Sequence, residues 1–111
     1  MFLEAPKNFD EFITLIKSND AVCFYLSIDE CNVCKVLKPK LIDLITQEYP
    51  NIKFSYVDLN KSKEISGQLS VFSVPTILFF FDGKEVIRES RNINLEELRF
   101  KIERFYKFKF E

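Results

Sequence analysis

Histidine is absent from the 111-residue chain, and so is tryptophan. Without histidine there is no imidazole acid–base catalysis and no Ser-His or Cys-His nucleophile pair. Any chemistry must come from thiols, carboxylates, amines or phenols. Neither charge is in excess: Lys and Arg total 16, Asp and Glu total 17, and the net charge is -1. Nothing in that balance draws the chain onto nucleic acid or an anionic lipid surface, so no nucleic-acid partner is expected. The basic, aromatic run KIERFYKFKF reads more simply as the end of a helix. No apolar stretch reaches the ~18 residues needed to span a bilayer, so no membrane partner is expected either. The start, MFLEAPKNFD, has no basic segment followed by a long apolar run and does not read as a signal peptide. Cysteine is scarce and odd in number, at three. That is too few for a secreted disulfide scaffold, and a cytoplasmic location follows as the expectation. In a reducing compartment, close cysteines are catalytic, sensing or metal-binding more often than structural.

The remainder of the composition is that of a packed domain. Hydrophobic residues make up 47% of the chain, and a single domain over residues 1–111 can bury roughly two-thirds of the unfolded surface. Asn8 caps a helix over Phe9 to Lys17, with Phe9, Phe12, Ile13 and Ile16 on one face. AVCFYLSI, from Ala21 to Ile28, is a short continuous apolar run and reads as a buried strand. A helix follows from Cys34 to Tyr49, with Val36, Leu37, Leu41, Leu44 and Ile45 on its buried side and Pro39 kinking it. Ile52 to Leu59 is a strand, and Ser62 caps a short helix over Lys63 to Leu69. Pro75 precedes the buried strand TILFFF. Asp82-Gly83 turns a hairpin into Lys84 to Glu89. Asn94 and Glu97 form a capping pair for a last helix from Leu95 to Tyr106, facing the core with Leu95, Leu98, Ile102 and Phe105. A small strand is expected around Phe2 and Leu3. Phe108 and Phe110 lie beyond that helix and either pack back on the domain or form an exposed apolar patch. The two strand–helix–strand crossovers imply parallel pairing, and the hairpin adds an antiparallel edge.

The chemistry concentrates in DECNVCKVLKP, Asp29 to Pro39. Cys31 and Cys34 sit where a strand gives way to a helix. Amides of a first helical turn have no helical partners, and the helix dipole places partial positive charge there. Both stabilise a thiolate at Cys31, whose pKa is drawn from ~8.5 toward roughly 3.5–7.5. Cys34 is three residues on, more buried and less acidic. This arrangement suits thiol–disulfide exchange, in which Cys31 attacks and Cys34 resolves. Two other readings stay open for such a pair: an inert pair of thiols, and a zinc site. The latter needs four ligands and, without histidine, a dimer bridged by cysteines. Cys23, inside the first strand, reads as a small apolar core residue. Tyr25 and Tyr56 read as packing residues whose hydroxyls find partners, with proton transfer as a further role open to them.

Taken in order, Cys31-Asn32-Val33-Cys34-Lys35, the in-helix Pro39, Val57-Asp58, Ser73-Val74-Pro75-Thr76 and the Asp82-Gly83 hairpin resemble the thioredoxin family over nearly the whole chain, from about Asn8 to the last helix. The resemblance implies a cis bond before Pro75, facing the cysteine pair. It also implies that Val74 offers backbone groups to an extended substrate segment, a strand-like mode of recognition. The departures are specific. Glu30 stands where the family has tryptophan, and Asn32-Val33 replaces Gly-Pro, which puts the reduction potential in question. The family's buried aspartate aligns with Tyr25 and its companion lysine with Phe54. A glycine near the last helix is replaced around Arg91-Asn92, which leaves a larger side chain beside the substrate groove. Asp29 and Glu30 are like charges beside Cys31 and work against its thiolate. A Cys31 pKa above the family norm and slower attack at neutral pH follow. An acidic rim also suits basic target proteins, through steering.

The expectation is an α/β, thioredoxin-like fold with a central mixed sheet of four to five strands and helices on both faces. Its function is thiol–disulfide oxidoreduction on protein disulfides, with Cys31 and Cys34 catalytic and Val74, Pro75 and Glu30 shaping substrate binding. The alternative is a thioredoxin-like adaptor module whose cysteine pair is non-catalytic or regulatory. No cofactor and no metal are expected. Electrons come from a dithiol reductase or a small thiol, and the protein is expected to be a monomer.

Overall fold

The computed structural model describes residues 2–111. The elements run α1 (Phe9–Ser18), β1 (Ala21–Ser27), α2 (Asn32–Glu48), β2 (Lys53–Asp58), α3 (Lys63–Leu69), β3 (Thr76–Phe81), β4 (Lys84–Ser90) and α4 (Leu95–Phe110). Local chemistry sets most of these boundaries. The Asn8 side chain accepts the Glu11 N–H at 2.8 Å, and the Glu11 carboxylate accepts the Lys7 N–H at 2.9 Å. The two bonds satisfy donors that a helix start otherwise leaves free. Asn94 accepts from the N–H groups of Glu96 and Glu97 in the same way. Asp82 and Gly83 both have positive φ, 54° and 79°, the turn that matches strand twist in a tight hairpin. Ser62 stands at the N-cap of α3 but makes no side-chain cap; its hydroxyl donates to the Pro6 carbonyl instead.

The sheet has four strands in the order β2-β1-β3-β4. β1 and β2 are parallel, with Tyr25 opposite Tyr56. β1 and β3 are antiparallel, as are β3 and β4. Only one of the two expected crossovers therefore makes a parallel pair. The reason is length. α2 has 17 residues, a rise of about 25 Å that recrosses a strand of six or seven residues, about 20 Å. α3 has 7 residues and rises only about 10 Å. It cannot carry the chain back, so β3 starts at the end of the sheet where β2 finished. The expected N-terminal strand is a single parallel bridge, Phe2 to Phe54.

Alternation along the central strands sorts the core onto two faces. Ala21, Cys23, Tyr25, Ile77 and Phe79 pack with Cys34, Leu41 and Ile45 of α2 and Leu98 and Ile102 of α4. Val22, Phe24, Leu26, Leu78 and Phe80 pack with Phe12 and Ile16 of α1 and Ile65 of α3. Val36, expected on the buried side of α2, is 60% exposed. α4 runs one turn beyond Tyr106. This separates the two last phenylalanines: Phe110 rests on Tyr106 and Phe81, while Phe108 is exposed.

Candidate active site

α2 begins at Asn32, earlier than its apolar pattern shows, and Cys31 is its N-cap. Cys31 and Cys34 are joined as a disulfide. The Cys31 sulfur accepts the Cys34 backbone N–H at 3.1 Å, so the nearest free amide of the helix start points at that sulfur. Cys31 is half-buried and Cys34 is 2% exposed. Of the two cysteines, Cys31 is the more exposed. Cys23 is fully buried in the core, and burial pushes its thiol well above the ordinary range.

The backbone beneath Cys34 is held by a phenol. Tyr25, fully buried, donates its hydroxyl to the Cys34 carbonyl at 2.7 Å. Burial, and secondarily the neighbouring Tyr56, push its pKa up to about 12. Phe54, aligned with the family's lysine, stacks beside Tyr25 with ring centres 6.4 Å apart, and the β1–β2 register places Tyr56 opposite Tyr25 with its ring centre also 6.4 Å away. Tyr56 in turn accepts a hydrogen bond from the Ser27 hydroxyl at 2.9 Å, and the Lys38 ammonium lies 4.1 Å from its ring centre. Ser27, Tyr56, Lys35, Lys38 and Asp29 line a cavity of 230 Å³ with Cys34 on its wall. Tyr56 has the partnered hydroxyl expected of it, but pattern reasoning could not assemble the rest of this group, because it depends on the β1–β2 register. The one local signal was the i,i+4 spacing of Cys34 and Lys38 on α2.

Replacing Tyr25 with phenylalanine is expected to cost about 1 kcal/mol, the net worth of one hydrogen bond. The loss depends on pH. An unfolded tyrosine ionises near 10, and the folded one near 12. Between those values the unfolded chain releases a proton that the folded chain keeps, so stability falls as pH rises through the window. Urea unfolding from pH 9 to 12 should show the gap between wild type and Y25F narrowing. A gap that is constant across the window rules this account out.

The other predicted positions do not share one flank: Val74 and Pro75 lie immediately before β3 and Glu30 lies toward Asn60. The Val74–Pro75 bond is cis. Val74 is half-buried and makes no backbone hydrogen bond among the described residues, whereas the Pro75 carbonyl accepts the Arg91 N–H at 3.0 Å. Arg91 also lines a groove with Asn32 and Val33, the two residues between the cysteines. Glu30 is not part of that groove; its carboxylate accepts from the Asn60 side-chain amide on the β2 flank. Among the described residues no three or more His, Cys, Asp or Glu side chains converge as a metal would require.

A strand-to-helix disulfide with one cysteine more exposed than the other, on a four-stranded mixed sheet, fits the thiol–disulfide oxidoreductase class. The thioredoxin family profile matches residues 1–104. The chain is 36% identical over 92 residues to thioredoxin-like protein YdfQ of Bacillus subtilis, spanning 83% of this chain and 81% of that protein. It is 30% identical over 89 residues to a thioredoxin of Mycoplasmoides gallisepticum, spanning 80% and 88%. Among solved structures, Fasciola hepatica thioredoxin superposes with a TM-score of 0.81 at 30% identity, covering 92% of this chain and 98% of that one. The oxidised form of mitochondrial thioredoxin 3 from Saccharomyces cerevisiae gives 0.78 at 30% identity, covering 94% and 93%. The chain belongs to the thioredoxin family. Among the described residues, no helix is long and apolar enough to cross a membrane.

Proposed function

We propose that this protein reduces disulfides in other proteins in the cytoplasm, with Cys31 as nucleophile and Cys34 as resolving thiol. The observation that carries the reading is the Cys31 sulfur at the N-cap of α2, accepting the Cys34 N–H. In the reduced protein the same amide and the helix dipole favour a Cys31 thiolate. That thiolate attacks one sulfur of a substrate disulfide. The substrate S–S bond breaks, and the departing thiolate leaves with the electron pair and takes a proton from solvent. Cys34 then gives up its proton and attacks the Cys31 sulfur. The second substrate thiolate leaves, the Cys31–Cys34 bond forms, and two electrons have passed to the substrate. A dithiol protein or a small thiol resets the pair.

Val74 supports strand-like docking of the substrate segment, since its backbone groups are uncommitted. Pro75 shapes the floor beneath it, and Glu30 borders the site on the far flank. The test is to equilibrate the protein with graded ratios of reduced and oxidised glutathione, trap free thiols and count them by mass. Cys31 and Cys34 should titrate together as an internal disulfide, and the midpoint gives the direction of electron flow. Thiols that never pair, or that appear only as mixed disulfides with glutathione, would establish the adaptor reading instead.

A further inference from the structure

Val33 and Val36 are 64% and 60% exposed, an unusual placement for valines on the opening turns of a helix that packs on a sheet. With Leu37 and Ile93 they form the apolar lining of a groove of 720 Å³ between α2 and the segment Arg91–Asn94. The charged residues on this groove are Lys40 and Arg91, and no carboxylate lines it. Neither cation makes an ion pair among the described residues. Arg91 also holds a φ of 65°, a left-handed conformation that favours glycine and is costly for a residue with a side chain. Arg91 lines this groove together with Asn32 and Val33, the residues between the cysteines. The acidic rim expected to suit basic targets lies off this groove: Asp29 lines the cavity behind Cys34 and the Glu30 carboxylate faces Asn60 on the β2 flank, so the charge at the groove favours acidic targets instead.

We propose that this groove selects substrate segments in which an acidic residue and an apolar residue lie beside the target cysteine. The inference rests on the exchange reaction proposed above and names its substrate class. The apolar side chain lies against Val33, Val36 and Ile93, and the carboxylate meets Arg91 and Lys40 at the groove edge. Exposed pairs of this kind act chiefly by steering and orientation. Two of them make a preference of roughly five- to tenfold at low salt.

The test uses the full-length reduced protein and disulfide peptides that differ only in whether glutamate, glutamine or lysine flanks the cysteine. Stopped-flow rates should rank glutamate above glutamine above lysine, and the spread should shrink in 0.5 M salt. In the double variant K40E/R91E the ratio of glutamate to lysine rates should invert. Using a ratio on one variant cancels any general loss of activity. Equal rates for the three peptides on wild type would overturn the proposal, even if the double variant does not fold. So would an unchanged ratio in a folded double variant. A small uncharged disulfide separates the two levels: if wild type reduces it but ignores peptide charge, only the substrate class fails. If wild type cannot reduce it, the exchange reading fails and the substrate class with it.

Discussion

Replacing Cys31 with serine is expected to lower the rate of protein-disulfide reduction on the order of 10³-fold or more, the scale of losing a nucleophile. Replacing Cys34 with serine should also stop turnover but leave a different species. C34S can attack once and has no second thiol to release the product, so it should accumulate as a one-to-one mixed disulfide with substrate. Two geometric facts support this asymmetry. Cys34 is 2% exposed, so its sulfur cannot meet the sulfur of a folded partner. Cys31 is half-buried and takes the helix-start amide on its sulfur. Mixing each reduced variant with a disulfide-bonded protein and weighing the products distinguishes the roles. C34S should show a large adduct and C31S none. An adduct on C31S and none on C34S would reverse the assignment. Adducts on both would mean that burial of Cys34 does not protect it in the reduced protein.

The elements of this fold were legible because their signals are local. Asn8, Asn94 and Asp82-Gly83 are short-range instructions, and each stands where its chemistry placed it. The cysteine pair was legible for the same reason. What was not legible depends on distance. The direction of β3 is set by how far α3 can reach, a constraint that a count of crossovers ignores. The residue opposite Tyr25 is set by the β1–β2 register, which places Tyr56 there. Val36 fails differently. An apolar residue at helical spacing looks alike whether it faces a core or a docking surface, since both exclude water. Only the third dimension shows that Val36 lies on the groove beside the disulfide. Tyr25 and Tyr56 were legible as packing residues whose hydroxyls find partners, but the partners themselves, the Cys34 carbonyl, Ser27 and Lys38, come from α2 and β1 and depend on the packing of separate elements.

Replacing Phe12 with alanine should be the most destabilising single truncation outside the site, at about 3–5 kcal/mol. Phe12 is fully buried. Its ring centre lies 4.3 Å from that of Phe24 and 5.6 Å from that of Phe80, and those two lie 5.7 Å apart. Aromatic contacts of this geometry add to simple area burial, and this trio joins α1 to the two central strands. The loss is a large share of the roughly 5–15 kcal/mol that holds an ordinary domain together. It should lower the melting temperature on the order of 15 °C or more. Phe108, a residue 94% exposed, provides the contrast: its alanine variant should stay within about 0.5 kcal/mol of wild type. The Phe12 trio lies on the face of the sheet away from Cys34. Well below its melting point, F12A should therefore still form the Cys31–Cys34 disulfide at the wild-type midpoint. Urea unfolding of the two variants and a glutathione titration of F12A check both halves. A shifted midpoint in folded F12A would show that the two faces of the sheet are coupled, and that packing under α1 helps set the potential of the cysteine pair.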